Sequence, residues 1–150
     1  MRILVLNGVN LNVLGRRHRE HYGGLSLGEL ESRIYQWARD HDSSAQCKQT
    51  NDEGEFVNWI QEALDWADGV IVNPGAWTHY SYAIRDALEI AGCPAVEVHL
   101  SDVESREEWR RRSVIADLVV GRVHGKGADG YREAVELLAR ELGVEAPPAA

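Results

Sequence analysis

Glu97 and His99 stand two residues apart in the run Ala95-Val96-Glu97-Val98-His99. On an extended chain that spacing puts both side chains on one face. A carboxylate beside an imidazole fixes its tautomer and favours the protonated ring. Such a ring suits a general acid that protonates a departing hydroxyl. Taken alone, the pair also suits a polar strand end bonded to its neighbours. Tyr22 lies in a segment that also carries Arg16, Arg17 and Arg19. A free phenol, with a pKa of about 10, is a poor base near neutrality. Guanidinium groups close by favour the phenolate, so Arg17 and a second arginine from the stretch 106–112 would make Tyr22 a candidate base. The competing reading is a loop tyrosine whose ring covers apolar surface. Gly15 and Gly23-Gly24 bracket the segment as hinges, which marks it as a candidate lid.

A third group surrounds Asn73-Pro74-Gly75-Ala76-Trp77-Thr78-His79. Asn73 can donate and accept, which suits sugar-like hydroxyls. His79 alone fits helix entry as well as ligand binding. Ser101 and its neighbouring amides precede a polar stretch read as a short helix, 105–112, whose N-terminus would suit a carboxylate. There is no GxGxxG after the first apolar run, no GxxxxGK[ST] and no HExxH, which argues against a dinucleotide site, a P-loop and that zinc motif. Lys48 and Lys126 are the only lysines, and neither falls where a Schiff base would be expected. No cofactor or metal is expected.

These residues need elements to hold them. The chain has 150 residues, the length of one domain. Residues 1–143 are read as a single catalytic domain and 144–150 as a C-terminal tail. Strands are expected at 2–6, 44–49, 69–73, 95–99 and 118–122, from short apolar runs bounded by turn residues. Ser26 followed by Glu29 forms a capping box, and Leu27, Leu30, Ile34, Trp37 and Ala38 then recur at helical spacing. A second helix turns Phe56, Val57, Ile60, Ala63, Leu64 and Ala67 inward. Further helices cover 81–91 and 128–142. Strands alternating with helices give a parallel sheet covered on both faces. The expected fold is therefore α/β, a flavodoxin-like three-layer sandwich with five parallel strands in the order 2-1-3-4-5. In such sheets ligands bind beyond the carboxyl ends of the strands where the order reverses. The loops after strands one, three and four hold the chemistry named above.

The net charge of −8 argues against a general nucleic-acid binder. Against that acidic background, arginines gathered at 16–19 and 106–112 suggest a pocket for an anion. Cys47 and Cys93 stand singly, which fits a reducing cytoplasm. The N-terminal apolar run is too short for a signal peptide or a membrane span.

Ordered motifs along residues 2–142 resemble the type II 3-dehydroquinate dehydratases. They are Asn7-Gly8-Val9-Asn10-Leu11-Asn12-Val13-Leu14-Gly15 with Arg17 and Tyr22-Gly23; Gln49-Thr50-Asn51 with Glu53-Gly54-Glu55; Asn73-Pro74-Gly75-Ala76 with Thr78-His79 and Ser81; and Glu97-Val98-His99-Leu100-Ser101 with Arg106 and Arg110. The resemblance implies removal of water from 3-dehydroquinate, a cyclic hydroxy-keto carboxylate, through an enolate in the shikimate or quinate route. Tyr22 would take the C2 proton, with Arg17 and Arg110 favouring its phenolate. Asn10 would hold a water against the enolate oxygen. His99, oriented by Glu97, would protonate the C1 hydroxyl in an anti elimination. Asn73, His79 and Arg110 would bind ring hydroxyls, and the amides of Leu100 and Ser101 the carboxylate. Arg106 would act behind the site or close the lid. Asp86 would reach the site of a neighbouring subunit, in a homo-oligomer expected to be a dodecamer of trimers.

The chain departs from the family pattern at Val9, Trp77, Asp102 and the extra Arg16 and Arg19. Asp102 would weaken substrate binding if it turned inward. Two other readings stand beside this one: an impaired paralogue kept as a scaffold, and a flavin- or phosphoryl-binding flavodoxin-like module. Neither explains Tyr22, Arg17, Asn10, His99 and Glu97 occurring together.

Overall fold

A computed structural model of the chain describes residues 1–144; the expected tail lies, apart from Val144, outside the described residues. Five strands run β1 (Arg2–Asn7), β2 (Ser44–Gln49), β3 (Gly69–Asn73), β4 (Ala95–Val98) and β5 (Gly121–Val123). They form one sheet in the order β2-β1-β3-β4-β5, with every pairing parallel. The helices are α1 (Arg19–Tyr22), α2 (Leu27–Arg39), α3 (Glu53–Trp66), α4 (Tyr82–Ala91) and α5 (Asp129–Glu141). Alternation along the central strands divides the core in two. Ile3, Val5, Ile71, Val96 and Val98 face α2 and α5, against Leu30, Ile34, Tyr131 and Leu138. Leu4, Leu6, Val70 and Val72 face α3 and α4, against Phe56, Ile60, Ile84 and Leu88. The sandwich is the expected three layers.

Helix starts follow their caps. The Ser26 hydroxyl accepts from the Glu29 amide, Asp52 from Glu55 and Ser81 from Ile84, each occupying an amide that has no partner within the helix. Three local readings change. Leu64, expected inside, is 55% exposed, because the face of α3 buried against the sheet runs through Phe56, Ile60 and Ala63. The last strand starts at Gly121 rather than 118. Leu118 closes a turn on Ile115, and Leu118 and Val119 pack into the α3–α4 core instead of extending the ladder. The polar stretch 105–112 forms no continuous helix, only 3-10 turns at Val103–Ser105 and Glu108–Arg110. It has no apolar stripe to dock, and a short helix without docking does not hold.

The carboxyl ends of the strands are locked together by close backbone approach. The Gly8 amide donates to the Asn73 carbonyl at 2.8 Å. A Cβ on Gly8 would lie 2.5 Å from the Pro74 carbonyl oxygen, so only glycine fits there. Gly75, at φ +64°, meets Val9 in the same way. The loops after β1 and β3 are thereby fixed against each other where the strand order reverses.

Candidate active site

Those loops and the one after β4 enclose a cavity of about 200 Å³. Its acidic end is built from β4. Glu97 is fully buried, and its Oε2 lies 2.5 Å from His99 Nε2 and accepts from the Thr78 hydroxyl at 2.6 Å. Its Oε1 accepts from the Ser113 hydroxyl at 2.7 Å and stands 3.4 Å from Arg122 Nε. Burial works against the charged carboxylate, but the hydrogen bonds and charge of His99, with the Thr78 and Ser113 hydroxyls, outweigh it and hold Glu97 down at about 2. Glu97 is therefore an anion at neutral pH, and the His99 Nε2 that faces it carries a hydrogen. His79 stacks beside His99 with ring centroids 6.4 Å apart. Its Nδ1–H donates to the Arg112 carbonyl at 2.6 Å. Burial, reinforced by the nearby His99 and Arg110, pushes the His79 pKa below its usual value despite that bond.

The same cavity is lined by Tyr22, at the end of α1 before Gly23 in the left-handed conformation. The ring is buried, only 7% exposed. Its hydroxyl accepts from Arg106 Nη1 at 2.7 Å, and the Arg17 guanidinium lies over the ring face at 4.0 Å from the centroid. Arg106 Nη1 also reaches the Ser101 hydroxyl at 3.2 Å. Leu100 and Ser101 are buried in the cavity lining. Among the described residues neither of their amides donates to a protein acceptor, so two N–H groups remain for an anion.

The profile of dehydroquinase class II matches residues 1–139. The chain belongs to the class II dehydroquinase family. It is 48% identical over 142 residues to the 3-dehydroquinate dehydratase of Thermotoga petrophila, covering 95% of this chain and 97% of that protein. To the enzyme of that name from Dictyoglomus turgidum it is 46% identical over 138 residues, 92% of this chain and 95% of that one. The crystal structure of type II dehydroquinase from Propionibacterium acnes superposes with a TM-score of 0.89 at 40% identity, covering 93% and 96% of the two chains. The Butyrivibrio crossotus type II dehydroquinase gives 0.88 at 43%, covering 92% and 97%.

Within this dehydroquinase-family chain, the cavity gathers Asn10, Arg17, Tyr22, Asn73 and His79 from the first and third loops. From the fourth come His99, Leu100, Ser101, Arg106 and Arg110, with Glu97 directly behind His99. Two assignments shift. The arginine bonded to the phenol is Arg106, not Arg110, whose guanidinium pairs with Glu107 and stacks 4.2 Å over Trp109. The Asn73 side chain is turned into the fold. Its Nδ2 donates to the Tyr131 hydroxyl at 2.9 Å and its Oδ1 accepts from the Gly75 amide at 3.2 Å. Asp86 is exposed on α4 and does not line this cavity.

The departures at 9, 77 and 102 leave the cavity largely untouched. Asp102 points away from it, accepting from the Glu104 amide at 3.2 Å and lying 3.1 Å from His124 Nδ1. Trp77 packs edge-on against Phe56 at 5.5 Å in the core. Val9 packs against Gly75. Asn10 adopts φ 71°, held by its amide donating to Asn51 Oδ1 at 2.8 Å. Four participants escaped the sequence reading: Ser113 and Arg122 against Glu97, Tyr131 behind Asn73, and Trp109 on the rim. The Tyr131 hydroxyl gave no signal in the sequence. Ser113 gave none either.

Proposed function

We propose that the chain dehydrates 3-dehydroquinate to 3-dehydroshikimate, with Tyr22 as base and His99 as acid, as a step of the shikimate route to aromatic amino acids. The reading rests on one arrangement above all. A phenol bonded to a guanidinium and an imidazole bonded to a buried carboxylate line a single small cavity. The Tyr22 oxygen, as phenolate, takes the C2 proton alpha to the ketone. The resulting enolate is stabilised by a water held at Asn10. The enolate then expels the C1 hydroxyl, which takes a proton from His99 and leaves as water in an anti sense. A proton passed from Tyr22 to His99 through solvent resets the site, and the step is reversible. Arg106 and Arg17 counter the charge of the phenolate. The amides of Leu100 and Ser101 take the substrate carboxylate, while His79 and Arg110 take ring hydroxyls. The proton balance closes without a cofactor.

Residues 1–143 act as one catalytic domain, and the functional particle is a homo-oligomer, a dodecamer of trimers, in which Asp86 supports a neighbour's site. The cytoplasm is the proposed location; no helix among the described residues is long and apolar enough to cross a membrane. The product is a conjugated enone, so turnover is read as a rise in ultraviolet absorbance. Wild-type protein should turn over 3-dehydroquinate in the presence of a chelator and resist borohydride. Tyr22→Phe should lose at least about a thousandfold in kcat. A folded wild type without turnover would overturn the reading.

A further inference from the structure

We propose that Arg122 is a positioning residue for the acid. Its fixed positive charge keeps Glu97 a carboxylate while His99 releases its proton. The inference rests on His99 being the acid of the proposed dehydration. Arg122 is the cross-strand partner of Glu97 in the β4–β5 register, so the two side chains share the face of the sheet towards α4. Glu97 is wholly buried and Arg122 largely so, with a side chain 18% exposed. Among the described residues, His99 and Arg122 are the only cationic side chains in contact with Glu97. Thr78 and Ser113 bring hydroxyls alone.

That difference matters at one moment of the reaction. While His99 is an imidazolium, Glu97 has a paired charge. Once His99 hands its proton to the departing hydroxyl, a fully buried carboxylate would lose its ionic partner. A buried unpaired charge is strongly disfavoured, so without Arg122 the pair would hold its proton more tightly and His99 would be a weaker acid. A guanidinium does not titrate in this range, so it can serve in both states. The contact also has room to tighten: Arg122 Nε is 3.4 Å from Glu97 Oε1 and makes no hydrogen bond, against about 2.9 Å for a formed one. On its other side Arg122 Nη1 donates to the exposed Glu104 at 3.4 Å, which draws part of its charge away. Among the described residues, the other ionisable groups around the pair are His79, stacked on His99, and Tyr22, Arg17, Arg106 and Arg110, which line the same cavity. None of these touches Glu97.

The test is the titration of His99 in protein labelled with ¹³C at histidine Cε1, without substrate, assigned by difference from His99→Gln. In Arg122→Met the midpoint should rise by about one pH unit, and Arg122→Lys should restore most of it. The basic limb of the kcat profile should move the same way, with kcat falling about 3- to 10-fold and KM nearly unchanged. Glu104→Gln, at an exposed position, keeps the test open should Arg122→Met not fold; it should lower the midpoint by a few tenths of a unit. An unchanged midpoint in folded Arg122→Met, or a rise or no shift in Glu104→Gln, would overturn the proposal. Because the titration uses no substrate, it can fail while wild-type dehydration stands, and the converse holds too.

Discussion

Replacing Glu97 by glutamine removes one charge from a side chain that has no exposed surface. In the folded protein the carboxyl is held at about 2, against 4.5 for the free group. At roughly 1.4 kcal/mol per pH unit, that depression corresponds to about 3 kcal/mol of folding stability at neutral pH. The sign follows from the direction of the shift. A lowered carboxylate pKa contributes fully above about 4.5 and loses its contribution as pH falls towards about 2. Glu97→Gln should therefore cost about 3 kcal/mol at pH 7, and the gap from wild type should stay level down to about pH 5 and then close. The amide leaves one packing cost that does not titrate, since its single oxygen cannot accept from Thr78 and Ser113 together as the two carboxylate oxygens do. Urea unfolding followed by tryptophan fluorescence between pH 7 and 3.5 measures the gap, with five tryptophans as reporters. A gap as large at pH 3.5 as at pH 7 would show that shape, not charge, accounts for the loss, and the electrostatic account of the Glu97–His99 pair would fail. The same variant should lose at least about a hundredfold in kcat, because His99 loses the group that orients it.

Arg106→Met removes the donor to the Tyr22 hydroxyl and should lower kcat/KM about 10- to 100-fold, the worth of a hydrogen bond to a charged group. Arg110→Met should act mainly on KM, and a larger kcat loss there than in Arg106→Met would reverse the two assignments. Tyr131→Phe leaves Asn73 Nδ2 and Asn7 Oδ1 without their buried partner and should cost about 1–3 kcal/mol in thermal or urea unfolding. Asp102→Asn should change KM by less than about twofold, since the carboxylate faces His124 rather than the cavity; a marked fall in KM would place its charge in the binding site.

Local rules on the sequence carried the architecture far. Short apolar runs, the capping box at Ser26 and strict strand–helix alternation were enough for the layers and the strand order, because each is decided within a few residues. They failed where tertiary packing competes with local pattern. Leu118 and Val119 look like the start of a strand, yet they fill the core beside α4, because burial there outweighs two more ladder positions. The stretch 105–112 has the composition of a helix but no face to bury, so it folds as two separate turns.

The sequence by itself determined which residue types are available for chemistry, and in which loops: a phenol among arginines, a carboxylate two residues from an imidazole, amides beside Ser101. Only the tertiary structure decided who meets whom. Arg106 and Arg110 are both arginines four residues apart, and nothing in their spacing says which one bonds to a tyrosine 84 positions away from Arg106. Ser113, Arg122 and Tyr131 are unremarkable as letters, and each gains its role from a neighbour distant in the chain. The physical reason is range. Propensity, capping and periodicity act over a turn or a strand, whereas the charge balance of a buried carboxylate is set by whatever the folded chain brings within a few ångströms of it.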